Sequence, residues 1–155
     1  MLVRDAITAD VEGVVDLLEN KRLELEAWEP RFWRKSSSST DISKAFLSAL
    51  IEDEHSTLLV AEVYGSIVGC LQFKPTFVPP VYDPSGTTWM VDDFVVSDGD
   101  WSGVGAALLK ELRVRTIDKS DGQLVFPVPV KDTEARKFFE ENGLNQTTTW
   151  WTASS

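Results

Sequence analysis

The segment Asp92–Leu109 carries the residues whose types and spacing best suit chemistry. A strand-like run that ends in Val95-Val96 passes through a short acidic loop and enters a helix at Gly103-x-Gly105. The first backbone N–H groups of a helix have no partner inside it, and the helix dipole adds about half a positive charge there. Because phosphate groups bind well at such a helix start, the segment predicts an anion site, with Asp98 and Asp100 as opposing charges.

The acidic loop leaves two interpretations open. Asp100 and Ser102 are both favourable N-cap residues, and a capping oxygen would occupy an N–H group that a phosphate needs. A carboxylate about 4 Å from a phosphate costs roughly 1 kcal/mol in water-like surroundings and about 4 kcal/mol at an effective dielectric of 20. Amide hydrogen bonds to a charged group contribute about 1.5–3 kcal/mol each. The loop is therefore either a working anion site or a self-capped helix that binds nothing.

Two adjacent carboxylates, Asp92 and Asp93, are the candidates for a general base. They lie on a predicted central strand, where a buried charge needs a partner or a function. Since neighbouring strand residues point to opposite faces, only one of the two is expected to face a cleft. The alternative is a carboxylate that bonds to a nearby loop or stays in solvent.

Length and composition predict one domain that spans residues 1–155. The 155 residues are 43% hydrophobic, which is enough for a packed core. A formal net charge of −10 argues against nucleic acid or an anionic membrane as a partner and mildly favours cationic partners such as amines. Cys70 is the only cysteine, and no signal peptide or long apolar stretch is present. A cytoplasmic protein without a metal site is the expectation.

The hydrophobic pattern predicts the element order β-α-α-β-β-β-α-β-α-β. A hairpin with Tyr64-Gly65 at its turn gives an antiparallel pair, and a helical crossover gives a parallel pair, so the class is α/β with a mixed sheet. The first helix starts at Thr8 or Asp10 and stops before Pro30, and the second is capped by Thr40 or Asp41. The later helices are Ser102–Ile117 and Thr133–Asn142. Predicted strands are 2–7, Leu58–Val63, Ser66–Phe73, Thr87–Val96, Leu124–Val130 and Thr147–Thr152.

In this order of elements, four segments together resemble the GNAT superfamily of acyl-CoA-dependent N-acetyltransferases. They are Val3–Asp10, the hairpin Ala61–Gly69, the strand, loop and helix from Asp92 to Leu109, and the motif Asp132-x-x-Ala135-x-x-Phe138-Phe139-Glu140-x-x-Gly143-Leu144. The resemblance covers nearly the whole chain. It implies a mixed, mostly antiparallel sheet flanked by helices, with a splayed parallel pair that forms a V-shaped cofactor cleft.

The resemblance also implies how acetyl-CoA, as co-substrate, would bind in that cleft, between the strand ending near Val96 and the strand Leu124–Val130. Prolines at 127 and 129 suit the point where strand pairing stops. The reaction would be direct attack of a neutral amine on the thioester, helped by a base and an acid. The implied cofactor-binding residues are Phe94, Val95, Val96, Trp101, Ser102, Gly103, Val104, Gly105, Ala106, Asp132 and Phe139.

Two positions depart from the family pattern. Asp100 stands where relatives have Arg or Gln, and Phe139 stands where many have a tyrosine that protonates the leaving thiolate. Tyr82 is the nearest alternative proton donor. The leading prediction is an N-acetyltransferase for a small amine. The alternative is a catalytically impaired protein of this fold that binds a ligand or partner without acyl transfer.

The last predicted strand carries Trp150 and Trp151, which would point to opposite faces of the sheet. One of the two rings is then expected to cover a core. The other is available for the cleft or for a contact with a second copy, so a homodimer is also a prediction.

Overall fold

The structure, a computed structural model, describes residues 1–116 and 122–153. Five strands and four helices are present in these ranges. The strands are β1 Leu2–Asp5, β2 Thr57–Val63, β3 Ser66–Pro75, β4 Thr88–Val96 and β5 Gln123–Val125. The helices are α1 Val11–Trp28, α2 Ser39–Glu52, α3 Ala106–Thr116 and α4 Thr133–Glu141.

The strands form one sheet in the order β1-β2-β3-β4-β5. The first three pairings are antiparallel and the pairing of β4 with β5 is parallel. Helices α1 and α2 supply one apolar layer, and α3 and α4 supply the other. This arrangement confirms the predicted α/β class with a mixed, mostly antiparallel sheet.

The β2–β3 turn also confirms its prediction. Tyr64 has φ 50° and Gly65 has φ 83°. Positive φ at both central residues is what a tight two-residue hairpin turn needs, because its twist then matches that of the strands. The turn thereby fixes the register of β3, which supplies the neighbour of β4 throughout the candidate site.

The C-terminal strand prediction was wrong. Residues 147–152 have no strand pairing, and the sheet ends at β5. Gly143, at φ 79°, ends α4, and the Trp150 ring lies 6.5 Å from the Phe32 ring instead of joining an edge. Trp150 and Trp151 are 76% and 92% exposed, so neither covers the core.

Three predicted element boundaries also shift. α2 begins at Ser39, so Thr40 and Asp41 lie inside its first turn and do not cap it. β5 ends at Val125, well short of the predicted Val130, where prolines withhold the N–H groups that a ladder requires. The helix predicted from Ser102 starts as one wide π-helical turn over Trp101–Gly105 and continues as α3; Ile117 lies outside the described residues.

Close packing at Gly69 holds this wide turn against the sheet. A Cβ atom added to Gly69 would collide with the Val104 side chain and lie 3.0 Å from Leu108 Cδ1. A glycine is therefore required where the turn crosses β3. Among residues 1–116 and 122–153, none of the helices combines the length and apolar character needed to traverse a bilayer.

Candidate functional site

The free edge of β4 is the first component of the site. β4 pairs with β3 from Trp89 to Val96 but with β5 only from Thr88 to Met90. Beyond Met90 the parallel partners separate, and within residues 1–116 and 122–153 no strand pairs with the β4 edge opposite β3. This geometry is the V-shaped opening that the family resemblance implies, and it leaves backbone groups of Phe94–Val96 without a ladder partner on that side among the described residues.

Aromatic rings line the opening on the side of α3 and α4. Phe94 lies 5.2 Å from the Trp101 ring and 5.9 Å from the Phe139 ring, measured between centroids. Phe126, just after β5, lies 4.8 Å from Phe139. Phe94, Trp101 and Phe126 are only partly buried. The rings therefore form an apolar wall with accessible surface beside the free edge of β4.

The helix start beyond β4 is capped by the chain itself. Asp100 Oδ1 accepts a hydrogen bond from Gly103 N–H at 2.9 Å, and the Asp100 carbonyl accepts one from Gly105 N–H at 3.0 Å. The capping role predicted for Asp100 or Ser102 thus falls to Asp100. In the described ranges the N–H groups of Trp101 and Ser102 have no acceptor. The anion site keeps part of its donors and has lost one to a carboxylate.

The charges around this helix start are mainly negative. Asp98 and Asp100 are exposed, and Glu134 of α4 lies close above Gly99. The two arginines of α3 have partners elsewhere: Arg115 pairs with Glu111 and Asp5, and Arg113 donates to the Asn142 carbonyl at 2.8 Å. The described residues contain no group of three or more side chains suited to hold a metal ion. An anion at this place would depend on backbone amides rather than on cationic side chains.

A β-bulge changes how the two adjacent carboxylates are placed. Gln72 of β3 pairs with Asp93, and Phe73 pairs with Val91, so Asp92 is the extra residue. The Asp92 carboxylate lies 2.9 Å from Lys74 Nζ, and Lys74 alternates onto the same face as Gln72. The bulge interrupts the strict alternation on which the expectation of opposite faces for Asp92 and Asp93 rests. Asp93 lies two residues before Val95, so its side chain is on the face that packs against α1 and α2.

Asp93 is the more perturbed of the two carboxylates. Burial raises its pKa above the ordinary value, the nearby charge of Arg22 opposes the rise, and the charge of Asp92 adds to it. The Arg22 guanidinium donates hydrogen bonds to Glu19 at 2.7 Å and to Ser43 Oγ at 2.5 Å, not to Asp93. A partly buried carboxylate with a raised pKa is a stronger base than an ordinary carboxylate and is suited to accept a proton from a substrate.

Three other predicted site residues occupy different environments. Asp132 is 6% exposed; it accepts a hydrogen bond from Ala135 N–H at 3.0 Å and pairs with Lys21 Nζ at 2.7 Å. Both of its oxygens are thus used in capping α4 and tying it to α1. Phe139 is buried within the aromatic wall and has no proton to donate. Tyr82 is 68% exposed in the loop between β3 and β4.

Gln72 is a residue of this region that sequence reasoning missed. It is 1% exposed, on the face of the sheet that carries Cys70 and Val95, and its Nε2 atom has no hydrogen-bond partner in the described part of the chain. The available signal was an amide side chain inside the strand-like run Ile67–Phe73, at a position whose alternation marks it as buried.

A curated protein is similar to the chain over nearly its whole length. The chain is 27% identical over 149 residues to the uncharacterised N-acetyltransferase YhfO of Bacillus subtilis (strain 168). The alignment covers 96% of this chain and 92% of that protein. No protein-family model matches the chain.

Solved structures share the fold at lower identity. A tetramutant of the BH1408 protein from Bacillus halodurans matches with a TM-score of 0.84 and 17% identity over the full length of both chains. The aminoglycoside N-acetyltransferase AAC(6')-Iy, in complex with CoA, matches with a TM-score of 0.71 and 12% identity over 99% of this chain and 98% of that one. These likenesses establish the architecture on which the site is built.

Proposed function

We propose that the chain is an N-acetyltransferase of the GNAT superfamily, which moves the acetyl group of acetyl-CoA to a small amine. One observation carries this proposal: in the part of the chain that the structure describes, no strand pairs with the edge of β4 from Val91 to Val96, where β5 diverges. An extended ligand with amide groups binds such an edge by the same hydrogen bonds that a strand would make. The pantetheine arm of acetyl-CoA has two such amides.

The remaining contacts follow from the groups beside that edge. The partly exposed rings of Phe94, Trp101 and Phe126 give the arm an apolar wall. The N–H groups of Trp101 and Ser102, which have no acceptor among the described residues, would donate hydrogen bonds to the pyrophosphate. The positive end of the helix dipole would stabilise its negative charge there. The curated relative's name and the CoA complex of AAC(6')-Iy support this choice of ligand.

The proposed chemistry assigns the base to Asp93. A neutral amine nitrogen attacks the thioester carbon, the new C–N bond forms as the C–S bond breaks, and the amine proton goes to the Asp93 carboxylate. The raised pKa of Asp93 favours this acceptance. Asp92 is the weaker candidate because it is exposed and paired with Lys74. Since Phe139 carries no proton, water or the Tyr82 hydroxyl supplies one to the leaving thiolate.

A second candidate function has its own observation. The bond from Gly103 N–H to Asp100 removes one phosphate donor and leaves a carboxylate at the same place. A protein of this fold that binds a ligand or partner without acyl transfer would tolerate that arrangement. The two functions differ in whether acetyl-CoA binds and whether thiol appears.

Calorimetric titration with acetyl-CoA, combined with a thiol-release assay on a panel of small amines, separates these candidates. Binding with amine-dependent thiol release supports the transferase. Binding without release supports the impaired protein. No binding at millimolar acetyl-CoA contradicts the transferase and leaves a protein of this fold that interacts with a partner. Asp16→Asn on the exposed side of α1 is a charge-matched control for every carboxylate variant used with these assays.

A cytoplasmic location and a small-molecule amine as the acceptor, with no nucleic acid or membrane partner, belong to the same proposal. The single cysteine is buried and forms no disulfide, which fits a reducing compartment. The predicted homodimer is tested by light scattering, with Trp151→Ser as the variant because that ring is almost fully exposed.

A further inference from the structure

Arg22 of α1 lies on the side of the helix that packs on the sheet, toward the face of β4 that carries Asp93. Val15 and Leu18 of α1 are almost fully buried in the apolar layer that includes Val95 of β4. Arg22 follows Leu18 by one turn on the same side of the helix. Asp93 precedes Val95 by two strand positions and shares its face. Helix and strand thus bring the guanidinium and the carboxylate into the same layer.

A polar network holds that guanidinium in place. Arg22 Nη1 donates to Glu19 Oε1 at 2.7 Å and to Ser43 Oγ at 2.5 Å. Ser43 Oγ donates in turn to the Ser39 carbonyl at 2.7 Å. Lys35 Nζ pairs with the second Glu19 oxygen at 2.8 Å. Because Ser43, the contribution of α2, is uncharged and only 5% exposed, both helices fix Arg22 without adding a charge of their own beside the sheet.

The charges that act on Asp93 come from α1 and from its own strand. Burial raises the pKa of Asp93, the positive charge of Arg22 opposes that rise, and the charge of Asp92 adds to it. Asp92 is itself paired with Lys74 of β3 at 2.9 Å. Cys70 of β3 is a further titratable group on this face, and its thiol stays neutral because burial and the charge of Asp93 raise its pKa. Arg22 is thus the cation that offsets the burial of Asp93.

We infer that Arg22 is a positioning residue for the proposed transfer: it keeps the Asp93 carboxylate ionised, and Glu19 and Ser43 keep Arg22 in place. This role rests on the proposed function, in which Asp93 is the base. A base must be free of its proton before it takes one from the amine, and burial works against that state. Within residues 1–116 and 122–153 Arg22 directs its hydrogen bonds to Glu19 and Ser43, so the Asp93 oxygens stay available to the amine.

The direct test is the titration of Asp93 in the protein alone, followed by the NMR signal of its carboxyl carbon and assigned by the loss of that signal in Asp93→Asn. In Arg22→Met we expect the pKa of Asp93 to rise above its wild-type value, because the opposing charge is removed. Arg22→Lys keeps a positive charge and should restore most of the difference. Ser43→Ala frees the guanidinium but leaves its charge, so the pKa should move in the same direction by less. These last two variants decide the question if Arg22→Met does not fold.

Lys35→Met is the matched control. Lys35 pairs with the same Glu19 carboxylate and its side chain is about as exposed as that of Arg22, but Arg22 is the cation that acts on Asp93. The control should lower the melting temperature through the loss at Glu19, and the pKa of Asp93 should keep its wild-type value. A purely structural role of the network would give the two variants the same effect.

Two results would overturn the inference: a wild-type titration of Asp93 in Arg22→Met, or an equal rise of the Asp93 pKa in Arg22→Met and Lys35→Met. The pH profile of thiol release, with acetyl-CoA and one fixed amine, is read separately. In Arg22→Met the acid limb of kcat/KM should move to higher pH together with the Asp93 titration.

The two readouts separate this inference from the function on which it rests. If the Asp93 titration responds to Arg22 but no amine releases thiol, the coupling of the two groups stands and the transferase proposal fails. If thiol is released and the acid limb of Arg22→Met equals that of the wild type, the transferase stands and the role of Arg22 in it fails.

Discussion

Just beyond the end of β4, the Asp100 carboxylate accepts a hydrogen bond from Gly103 N–H. In the middle of the same strand, the Asp93 carboxylate accepts no hydrogen bond from the described residues, and the Nε2 atom of its cross-strand neighbour Gln72 has no acceptor among them. At the loop, the chain satisfies its own polar groups and thereby competes with a ligand anion. At the bulge, it leaves a donor and an acceptor unsatisfied in a partly buried place. We call the region around Asp93 and Gln72 the acceptor side of the cleft, and the loop at Asp100 the cofactor side. The comparison teaches that the acceptor side keeps polar groups without protein partners, whereas the cofactor side already uses one of its N–H groups in a hydrogen bond within the chain.

The largest expected effect on acetyl transfer comes from the acceptor side, at Asp93. Replacing Asp93 with Asn removes the proposed base but keeps its size and one oxygen. We expect the turnover number for acetyl transfer to fall by about 10²–10⁴-fold, the usual contribution of a general base. The dissociation constant of acetyl-CoA should stay unchanged, because the Asp93 side chain faces α1 and α2 rather than the aromatic wall.

The same assay on Asp92→Asn shows which carboxylate of the bulge matters. Asp92 is exposed and paired with Lys74, so its loss should lower the turnover number by less than about fivefold. A larger loss in Asp92→Asn than in Asp93→Asn would reverse the assignment of the base. Equal losses of turnover and of cofactor affinity in Asp93→Asn would give that residue a structural role instead.

The difference in stability between Asp93→Asn and the wild type should depend on pH, and its direction follows from the pKa of Asp93. The pKa of Asp93 is raised in the folded protein above its ordinary value of 3.8, so the folded state holds its proton more tightly than the unfolded state does. Wild-type stability therefore falls as pH rises through the interval between the two pKa values. The variant should melt at a higher temperature than wild type at pH 7, and the difference should vanish below about pH 3.8. A difference that is independent of pH would mean that Asp93 ionises normally.

Lys21 tests whether an ion pair between α1 and α4 stabilises the protein across the cleft. Its ammonium group on α1 pairs with Asp132, the buried N-cap of α4, at 2.7 Å. Lys21→Met keeps the aliphatic stem and leaves the Asp132 charge without its partner. We expect a loss of about 2–3 kcal/mol in the free energy of unfolding, measured by urea denaturation.

The control for Lys21→Met is Lys137→Met, which breaks an exposed pair with Glu141 one helical turn away. Exposed pairs of this kind contribute only about 0.3–0.5 kcal/mol. If both variants lose the same small amount, the Lys21–Asp132 pair does not hold α1 and α4 together, and each side of the cleft is stabilised on its own.

The sequence predicts the cofactor side better than the acceptor side, for a physical reason. The Asp100 cap follows from the local preference of a short acidic side chain for a helix start. The divergence of β4 from β5 is implied by the family resemblance, and Pro127 and Pro129, which cannot donate to a ladder, suit the end of pairing after Val125 even though the strand was predicted to reach Val130. Both features are determined by residues within a few positions of each other, so local rules are sufficient.

The bulge at Asp92 depends instead on the register between β3 and β4, which no local pattern specifies. The orientation of Asp93 and its pairing with Gln72 were consequently missed. The absent strand at 147–152 failed for a similar reason. Threonine and tryptophan favour strands, but a strand forms only where an edge accepts it, and here Trp150 packs near Phe32.

The smallest expected effect concerns the loop. Asp100→Asn keeps an oxygen that accepts from Gly103 N–H but removes the negative charge beside the proposed pyrophosphate position. At this exposed site the repulsion is about 1 kcal/mol, so acetyl-CoA should bind about fivefold more tightly in a calorimetric titration at low salt. Asp100→Arg should tighten binding further, because it also frees the Gly103 amide and adds a positive charge, at a cost of about 1 kcal/mol in stability from the lost cap. The gain should shrink as salt screens the exposed charges, whereas the Asp93 effects should not. Unchanged affinity in both variants would mean that Asp100 does not face the phosphates, and the contrast between the two sides of β4 would then reduce to the presence of an unpaired donor on one of them.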